Sequence, residues 1–540
     1  MTDKDVDFLF VYEVKARELE NICLLACELE RRGYTTAIVN SWTMLKKKKD
    51  SGYSCDTLVI SACYNDEVYR FFTGFARRYK KVFCLQWEQV PVNYSYESTE
   101  KTSWTYQETA LHVRNVCWGR KSWERLVEKF GVDENCARIT GYIALDLYLP
   151  QFRPLLKSRE QLLGEIGADP KKKTCLFVSS FAYVNLPPAL EATADEDGKS
   201  LTKKISSQSQ KLVLAWIEKL LERYPDVQFI YRPHPSEAEN PDLLTMQRKH
   251  RGFFCVPQFT IRHWIAACDK VYIWNSTSAI EAWVSGVKTY LLRPVSLPRQ
   301  CDMPIFENSK AIQTYEAFET SVLDQEESNP SLDPAVLDQW YGLHLGQAAY
   351  LNICDWLEET RSDSAYQSPQ LPRYASVPCW KMWFEYNVVY VWMNFIAHRF
   401  NYRLCCLRGW ITLLGPEINR SCPRIVRKLY KLVGCGARLA QYGLCMLFAQ
   451  KQSRETLLPV RRVHEVQQAL EAQRLQYWSD RQQIRQTYQQ MRAEFKRMVQ
   501  NRDTRQKKSY DASKYLLNRS SEDEINRIKH QINECLREVL

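Results

Sequence analysis

Two short stretches of the 540-residue chain carry the residue types that hold phosphate and ribose. The first is 229–235, FIYRPHP, an apolar run ending in Arg232, Pro233, His234 and Pro235. A proline on each side of His234 stops a strand and fixes the backbone, so the imidazole is held at the strand's carboxyl end. The second stretch is 269–294, DKVYIWNSTSAIEAWVSGVKTYLLRP, which reads as strand, hydroxyl-rich turn, helix, Gly286 stop and second strand. Ser276, Thr277 and Ser278 place neutral donors at the turn, and a helix starting there aims its free amides and positive dipole end at an anion. Glu281, one turn in, can accept from the two hydroxyls of a ribose whose phosphate rests on the turn. A plainer account of the same letters exists: Ser278 with Glu281 fits a capping box, in which the acid satisfies the helix's own first amide. Having both strand ends, in order, tips the balance toward a ligand, because doubly wound sheets bind at that edge.

Other candidates stand at other predicted strand ends. Ser179 and Ser180 close TCLFVSS and add a second phosphate contact, with an ordinary turn as the alternative. Glu13 after the first strand, Asp66 after the third and Glu88 after the fourth could each take a proton from an acceptor hydroxyl. Glu88 leads these three; an exposed acid or a helix N-terminal charge is its plain alternative. His263 reads as packed or exposed rather than catalytic, and Lys46 to Lys49 as a solvated loop.

The elements that must position these residues alternate between strand and helix, which predicts parallel sheets. A first domain, 1–146, is expected to hold strands at 8–12, 36–39, 57–61, 81–86, 113–118 and 137–140, with helices up to Arg32 and over 66–79. No GxGxxG follows the first strand, which argues against a nicotinamide dinucleotide enzyme. A second domain, 147–361, is expected to run through a helical connector at 154–167, strand 174–180, a mobile loop at 187–209 and helix 211–223. The 229–235 strand, helix 242–250, strand 253–256, helix 261–268, the 269–294 unit and helices over 334–361 follow.

FIYRPHP and NSTSAIEAWVSG together resemble the nucleotide-binding half of GT-B glycosyltransferase-fold enzymes. That group includes UDP-N-acetylglucosamine 2-epimerases, CDP-glycerol glycerophosphotransferases, and bacterial sialyl- and Kdo-transferases, and the opening 8–40 is similar to surface-carbohydrate biosynthesis proteins of the same superfamily. The resemblance spans 7–320. It implies two Rossmann-like domains, a last helix crossing back onto the first, and a nucleotide-activated sugar or polyol donor, cytidine-based with uridine as the alternative. It also implies that His234-Pro235 and Ser276-Thr277 contact the donor phosphate, that Glu281 binds ribose, and that Glu88 stands where epimerases carry an active-site acid. At 140–146, TGYIALD, Ile143 and Ala144 replace the Pro and Arg of the related pattern, so any contact made by that Arg is lost.

Composition bounds the rest. Nineteen cysteines are scattered without paired CxxC spacing, so no metal and no cofactor is expected. The N-terminus lacks a secretory pattern, so a cytoplasmic protein with reduced thiols is expected. Residues 381–540 carry 29 Lys and Arg against 14 Asp and Glu, whereas residues 1–380 sum to −4. After a Ser/Pro-rich linker at 362–378, the region 379–540 reads as a basic, α-helical C-terminal appendage. Within it, 379–450 mixes aromatics with basic residues and suits either the surface of the inner membrane or a packed bundle. A seven-residue apolar column over 463–498 suits a coiled coil and an oligomer, and a last amphipathic helix covers 522–540. Nucleic acid fits less well, because the basic residues are interleaved with apolar runs.

The expected protein is therefore a metal-independent transferase peripheral to the cytoplasmic face of the membrane, passing a nucleotide-activated donor to a glycan or lipid-linked acceptor of a surface polysaccharide or capsule. A nucleotide-sugar epimerase of the same fold and a non-catalytic scaffold are the alternatives.

Overall fold

The computed structural model describes residues 4–47, 50–97, 108–182, 184, 199–234, 237, 240–307, 309–323, 332–369 and 517–537. The chain divides into two compact units, 1–376 with 503–540, and 377–502. The regions 379–450 and 463–498 and the end of the 362–378 linker lie outside the described residues.

Apolar runs such as Phe8–Tyr12, buried on both faces, suit parallel strands covered by helices on either side. Six of them form the first sheet: β1 (Lys4–Tyr12), β2 (Thr36–Asn40), β3 (Tyr53–Ile60), β4 (Arg78–Cys84), β5 (Arg114–Cys117) and β6 (Ala137–Ile139), ordered β2-β1-β3-β4-β5-β6. All of its pairings are parallel. Its helices include α1 (Lys15–Arg31), α2 (Ser41–Lys47), α3 (Asp66–Thr73) and α4 (Arg120–Glu124). Two expectations are corrected here. The lysine run begins inside α2 rather than in a loop, and the helix expected over 66–79 stops at Thr73, where Gly74 takes the C-cap and frees the chain to start β4 three residues earlier than expected.

After α5 (Arg159–Glu165) the second sheet is built from β7 (Lys173–Val178), β8 (Val227–Arg232), β9 (Phe253–Cys255), β10 (Lys270–Ile273), β11 (Lys288–Leu292) and β12 (Ala311–Ile312). Its order, β12-β11-β10-β7-β8-β9, is again wholly parallel. The helices α6 (Lys199–Arg223), α7 (Pro241–Lys249), α8 (Ile261–Ala267), α9 (Ser278–Val284) and α10 (Tyr315–Leu323) flank it. Residues 199–209, expected as loop, are the first turns of α6: Ile205, Ser206, Ser209 and Gln210 are buried there, so tertiary packing overrides a polar local sequence. The expected pair of Rossmann-like lobes is thus present.

The chain then returns to the first lobe. α11 (Pro334–Tyr341) ends at Gly342 in the left-handed region, φ 61°, where a side chain would meet the Trp118 carbonyl oxygen at 2.6 Å. Gly119 lies equally close to the backbone of Gln339, so the end of α11 and the turn after β5 touch main chain to main chain. α12 (Ala349–Ser362) crosses onto α1, β3 and β4 as expected, with Trp356 packed edge-on against Phe83 and Arg32 bonded to Asp355 and Glu358. Asp146, buried, accepts from the Ala349 and Tyr350 amides and so supplies the cap that α12 lacks; burial raises its carboxyl to about 7.

The expected terminal helix is observed as α13 (Glu522–Arg537), and it is no free appendage. It lies on α1, burying Ile532, Cys535 and Leu536 in the first lobe's core. Asn518 Oδ1 accepts from the Lys15 amide at 3.0 Å, Glu524 pairs with Lys15, and the Lys529 carbonyl accepts from the Cys27 thiol. Among the described residues no helix is long and apolar enough to cross a membrane. An acid at position 532 should lift α13 from α1. Ile532→Asp is expected to speed labelling of Cys27 by a thiol reagent at least tenfold over the wild type, and an unchanged rate would contradict this docking.

Candidate functional site

At the tip of β10 the Asn275 amide donates to Ser180 Oγ at 3.1 Å, tying together the ends of two neighbouring strands. Ser276 Oγ accepts from the Ser278 amide, whereas the partly exposed hydroxyls of Thr277 and Ser278 have no partner among the described residues. Thr277 is the N-cap of α9, but its side chain makes no capping bond, and no capping box forms between Ser278 and Glu281. Glu281 instead turns outward, and its Oε2 accepts from the Tyr148 hydroxyl at 3.0 Å. Tyr148 closes the helical turn Ile143–Tyr148 at the end of the first lobe, so this carboxyl faces across the junction between lobes. Burial pushes it up to about 7, against the opposing pull of Tyr148 and Arg262; Glu20 adds to the rise.

At the tip of β8, His234 is partly buried, and its amide donates to Glu237 Oε2 at 3.1 Å while the Glu237 amide returns a bond to the His234 carbonyl. The Glu237 carboxylate also accepts from Ser179, Tyr231 and Gln210. Ser179 is buried, and its proton goes to Glu237 at 2.5 Å, so it is a strut of the fold and does not present a hydroxyl to a ligand. Arg232 is corrected in the same way. Its guanidinium is buried and donates to the Val256 and Phe259 carbonyls, ordering the loop after β9, and burial lowers its pKa to about 10.

The first lobe brings acids together at the turn from β1 to α1. Glu18 is fully buried and accepts from the Glu13 and Val14 amides, from Ser61 Oγ at 2.6 Å and from Arg17. Arg17 reaches from Glu18 to Glu88, whose side chain is half exposed. The Glu13 carboxylate has no partner among the described residues; burial first, then the charges of Glu18 and Glu88, raise it to about 7 against the pull of Arg17. Asp66, by contrast, sits in the first turn of α3 and accepts from the Thr109 hydroxyl, as a helix-start acid does. Burial raises the Tyr142 phenol far above its ordinary value, with Glu281 adding to the rise and Arg17 opposing it.

A buried ion cluster joins the lobes at the same place. Glu20 on α1 accepts from Arg262 at 3.0 Å and lies 3.4 Å from His263 Nε2, both on α8, while Arg262 also donates to the Leu147 carbonyl. Despite its burial, Arg262 and His263 hold Glu20 down to about 2. His263 is packed, as expected. One trio of possible metal ligands occurs among the described residues, Glu218, Glu222 and His250, but the Lys249 ammonium already bonds both carboxylates.

Arg17, Glu18, Glu20, Tyr148, Glu237 and Arg262 were not legible as site residues. The sequence signal available was an acid in the first turn of a helix after a strand, at Glu18, and an acid three residues past His234.

No protein-family model and no curated protein matches the sequence. Among solved structures, the wall teichoic acid polymerase TagF is similar, at 9% identity over 66% of this chain and 88% of its own, with a TM-score of 0.44. UDP-GlcNAc 2-epimerase of Methanocaldococcus jannaschii, in complex with UDP-GlcNAc and UDP, gives 11% identity, 60% and 95% coverage and a TM-score of 0.37. S. aureus MnaA with UDP gives 12%, 62%, 93% and 0.38.

Removing one member of the interlobe cluster leaves a buried charge without its partner. Glu20→Ala is expected to cost about 3–5 kcal/mol, read as a fall in the urea midpoint, whereas Glu20→Leu with Arg262→Met should cost far less. Equal losses from the two would show that packing, not the orphaned guanidinium, sets the penalty.

Proposed function

We propose that the protein is a transferase using a nucleotide-activated donor, a sugar or polyol phosphate, to extend a surface polysaccharide at the cytoplasmic face of the membrane. The observation that carries this reading is Glu281: it is released from helix capping and directed across the junction between lobes, next to two unengaged hydroxyls at one strand tip. In this reading Ser276, Thr277 and Ser278 hold the donor phosphate, and Glu281 accepts from the ribose hydroxyls. His234 donates to the phosphate and, when protonated, balances the charge that develops as the donor bond breaks, without a metal. The resemblance of the HP and ST pairs to cytidine-sugar transferases favours a cytidine donor over a uridine one.

The acceptor hydroxyl needs a base, and Glu13 is better placed for that than Glu88. Glu88 is held by Arg17, so its carboxylate is already engaged with a guanidinium. Glu13 has no such clamp and is raised to about 7, near the pH at which a general base works best. The basic stretch 379–450 supports placement at a membrane through its composition alone.

A thermal-shift screen against CMP, CDP, UDP and GDP tests the donor site first. His234→Ala and Glu281→Ala are each expected to lower donor turnover at least tenfold with little change in melting temperature, and near-normal rates in both would remove the reading. Isomerised donor formed without acceptor would assign an epimerase instead.

A ribose-binding carboxylate works ionised. Affinity for CDP should therefore rise as pH climbs through about 7, the value to which Glu281 is raised, and the rise should be lost in Glu281→Gln. The nucleotide's own ionisation is common to both proteins and cancels in the ratio of their affinities. Parallel profiles for the two would show that this carboxyl does not touch the nucleotide.

A further inference from the structure

His234 stands at the end of β8 between Pro233 and Pro235, which narrow its backbone without fixing it to one conformation. Something else must set the direction in which its ring leaves the strand. The Glu237 carboxylate is bonded to its main chain, and the two residues bond reciprocally: His234 N to Glu237 Oε2 at 3.1 Å, Glu237 N to His234 O at 2.8 Å. Glu237 is buried, 7% exposed, too deep to meet a ligand directly. Its two oxygens take four donors from three elements. Oε2 receives Ser179 Oγ at 2.5 Å from the end of β7 and the His234 amide, while Oε1 receives Tyr231 OH at 2.8 Å from β8 and Gln210 Nε2 at 3.0 Å from α6. Gln210 in turn accepts from Asn240, the N-cap of α7. The carboxylate therefore references the His234 backbone to β7, β8, α6 and, through Gln210, α7.

A hydrogen-bond hub of this kind has little freedom, because an ionised carboxylate offers about four acceptor positions and all four are used. Burial raises the cost of leaving any of the donors unmet, so the arrangement resists distortion.

We propose that Glu237 is a positioning residue for the donor site, its buried carboxylate fixing the His234 main chain so that the imidazole is presented to the donor's phosphate. The proposal deepens the functional reading above and rests on it for the identity of the ligand, but not for the geometry. Glu237→Asp draws the carboxylate back by one methylene and keeps the charge. Glu237→Gln keeps an acceptor in the place of Oε2, and the hydroxyls of Ser179 and Tyr231 can turn to suit the new amide.

Two measurements on the full chain test it. In the first, ring resonances of the eight histidines are followed by NMR across pH, with His234 identified by its loss in His234→Ala. Glu237→Asp is expected to shift the His234 signal and its titration midpoint, with Glu237→Gln nearer the wild type. A His234 signal unmoved by Glu237→Asp overturns the proposal. In the second, calorimetry with CDP compares His234→Ala, Glu237→Asp and the double variant. Glu237→Asp is expected to weaken CDP at least fivefold alone and less than twofold in the His234→Ala background, since the two act through one group. Losses that multiply in the double variant overturn the proposal, because a merely structural acid would act independently of the imidazole. If His234→Ala binds both CDP and UDP as the wild type does, the donor-site reading falls by itself, and the NMR result alone decides the role of Glu237.

Discussion

A chain leaving a parallel strand must find acceptors for the amides that the ladder no longer uses, and in this protein buried carboxylates supply them. Glu18 takes the Glu13 and Val14 amides at the end of β1, and Glu237 takes the His234 amide at the end of β8. Each also collects a serine from the neighbouring strand, Ser61 for Glu18 and Ser179 for Glu237. An unmet amide in such a place costs on the order of 1–3 kcal/mol, so the turn is pinned to the acid that serves it. The residues so fixed are Glu13 in one lobe and His234 in the other. Both lobes reach the same solution for the same reason: the carboxyl edge of a parallel sheet is open to ligand only if its turns are held from beneath.

The relation between lobes has a different basis. Glu20 meets Arg262 and His263 in a buried cluster, Tyr148 meets Glu281, and α11 and α12 carry the chain back onto the first lobe. Buried ion pairs add little net stability, because desolvation offsets most of the attraction; what they add is intolerance of any other arrangement. Apolar contacts alone would let two faces slide. The buried Arg262 guanidinium needs its carboxylate, so Glu20 and Arg262 tie down the register in which Glu281 meets the first lobe. The return of α13 onto α1 acts on the same element from behind, since Asn518 accepts from the Lys15 amide that follows the Glu13 turn. Residues just over five hundred positions apart thereby meet at one helix start.

The sheets were legible in the sequence because a strand buried on both faces needs an unbroken apolar run, and runs such as FLFVY and FIY leave few alternatives. Helix limits were less so: 199–209 looks polar, and its place in α6 is decided by what buries Ile205 and Gln210. In the site, Glu281 and the 276–278 hydroxyls were found from local spacing, since the motif is local. Ser179 and Arg232 were assigned to ligand and Glu88 to the acceptor's proton from their place at strand ends, and each turns out to be engaged by a partner elsewhere in the chain: Glu237, the carbonyls of Val256 and Phe259, and Arg17. The residues missed, Glu18, Glu20, Tyr148 and Arg262, act only through such distant pairs. Spacing shows which groups stand at a strand end; it does not show which of them are already spoken for.

The bond from Tyr148 to Glu281 also bears on where affinity for a nucleotide would come from. A phenol hydroxyl already donates to this carboxyl at 3.0 Å, as a ribose hydroxyl would. If ribose displaces it, one neutral O–H donor replaces another, and the net gain is near zero. If Tyr148 stays, ribose must use the remaining acceptor positions, and a carboxylate offers enough for both. In the first case the exchange is near neutral, in the second the ionised carboxyl adds a charge-assisted bond to ribose, and in both the phosphate provides the larger share. That places the energetic weight on the strand-tip hydroxyls and on His234, and so on the buried acid that holds His234 in place.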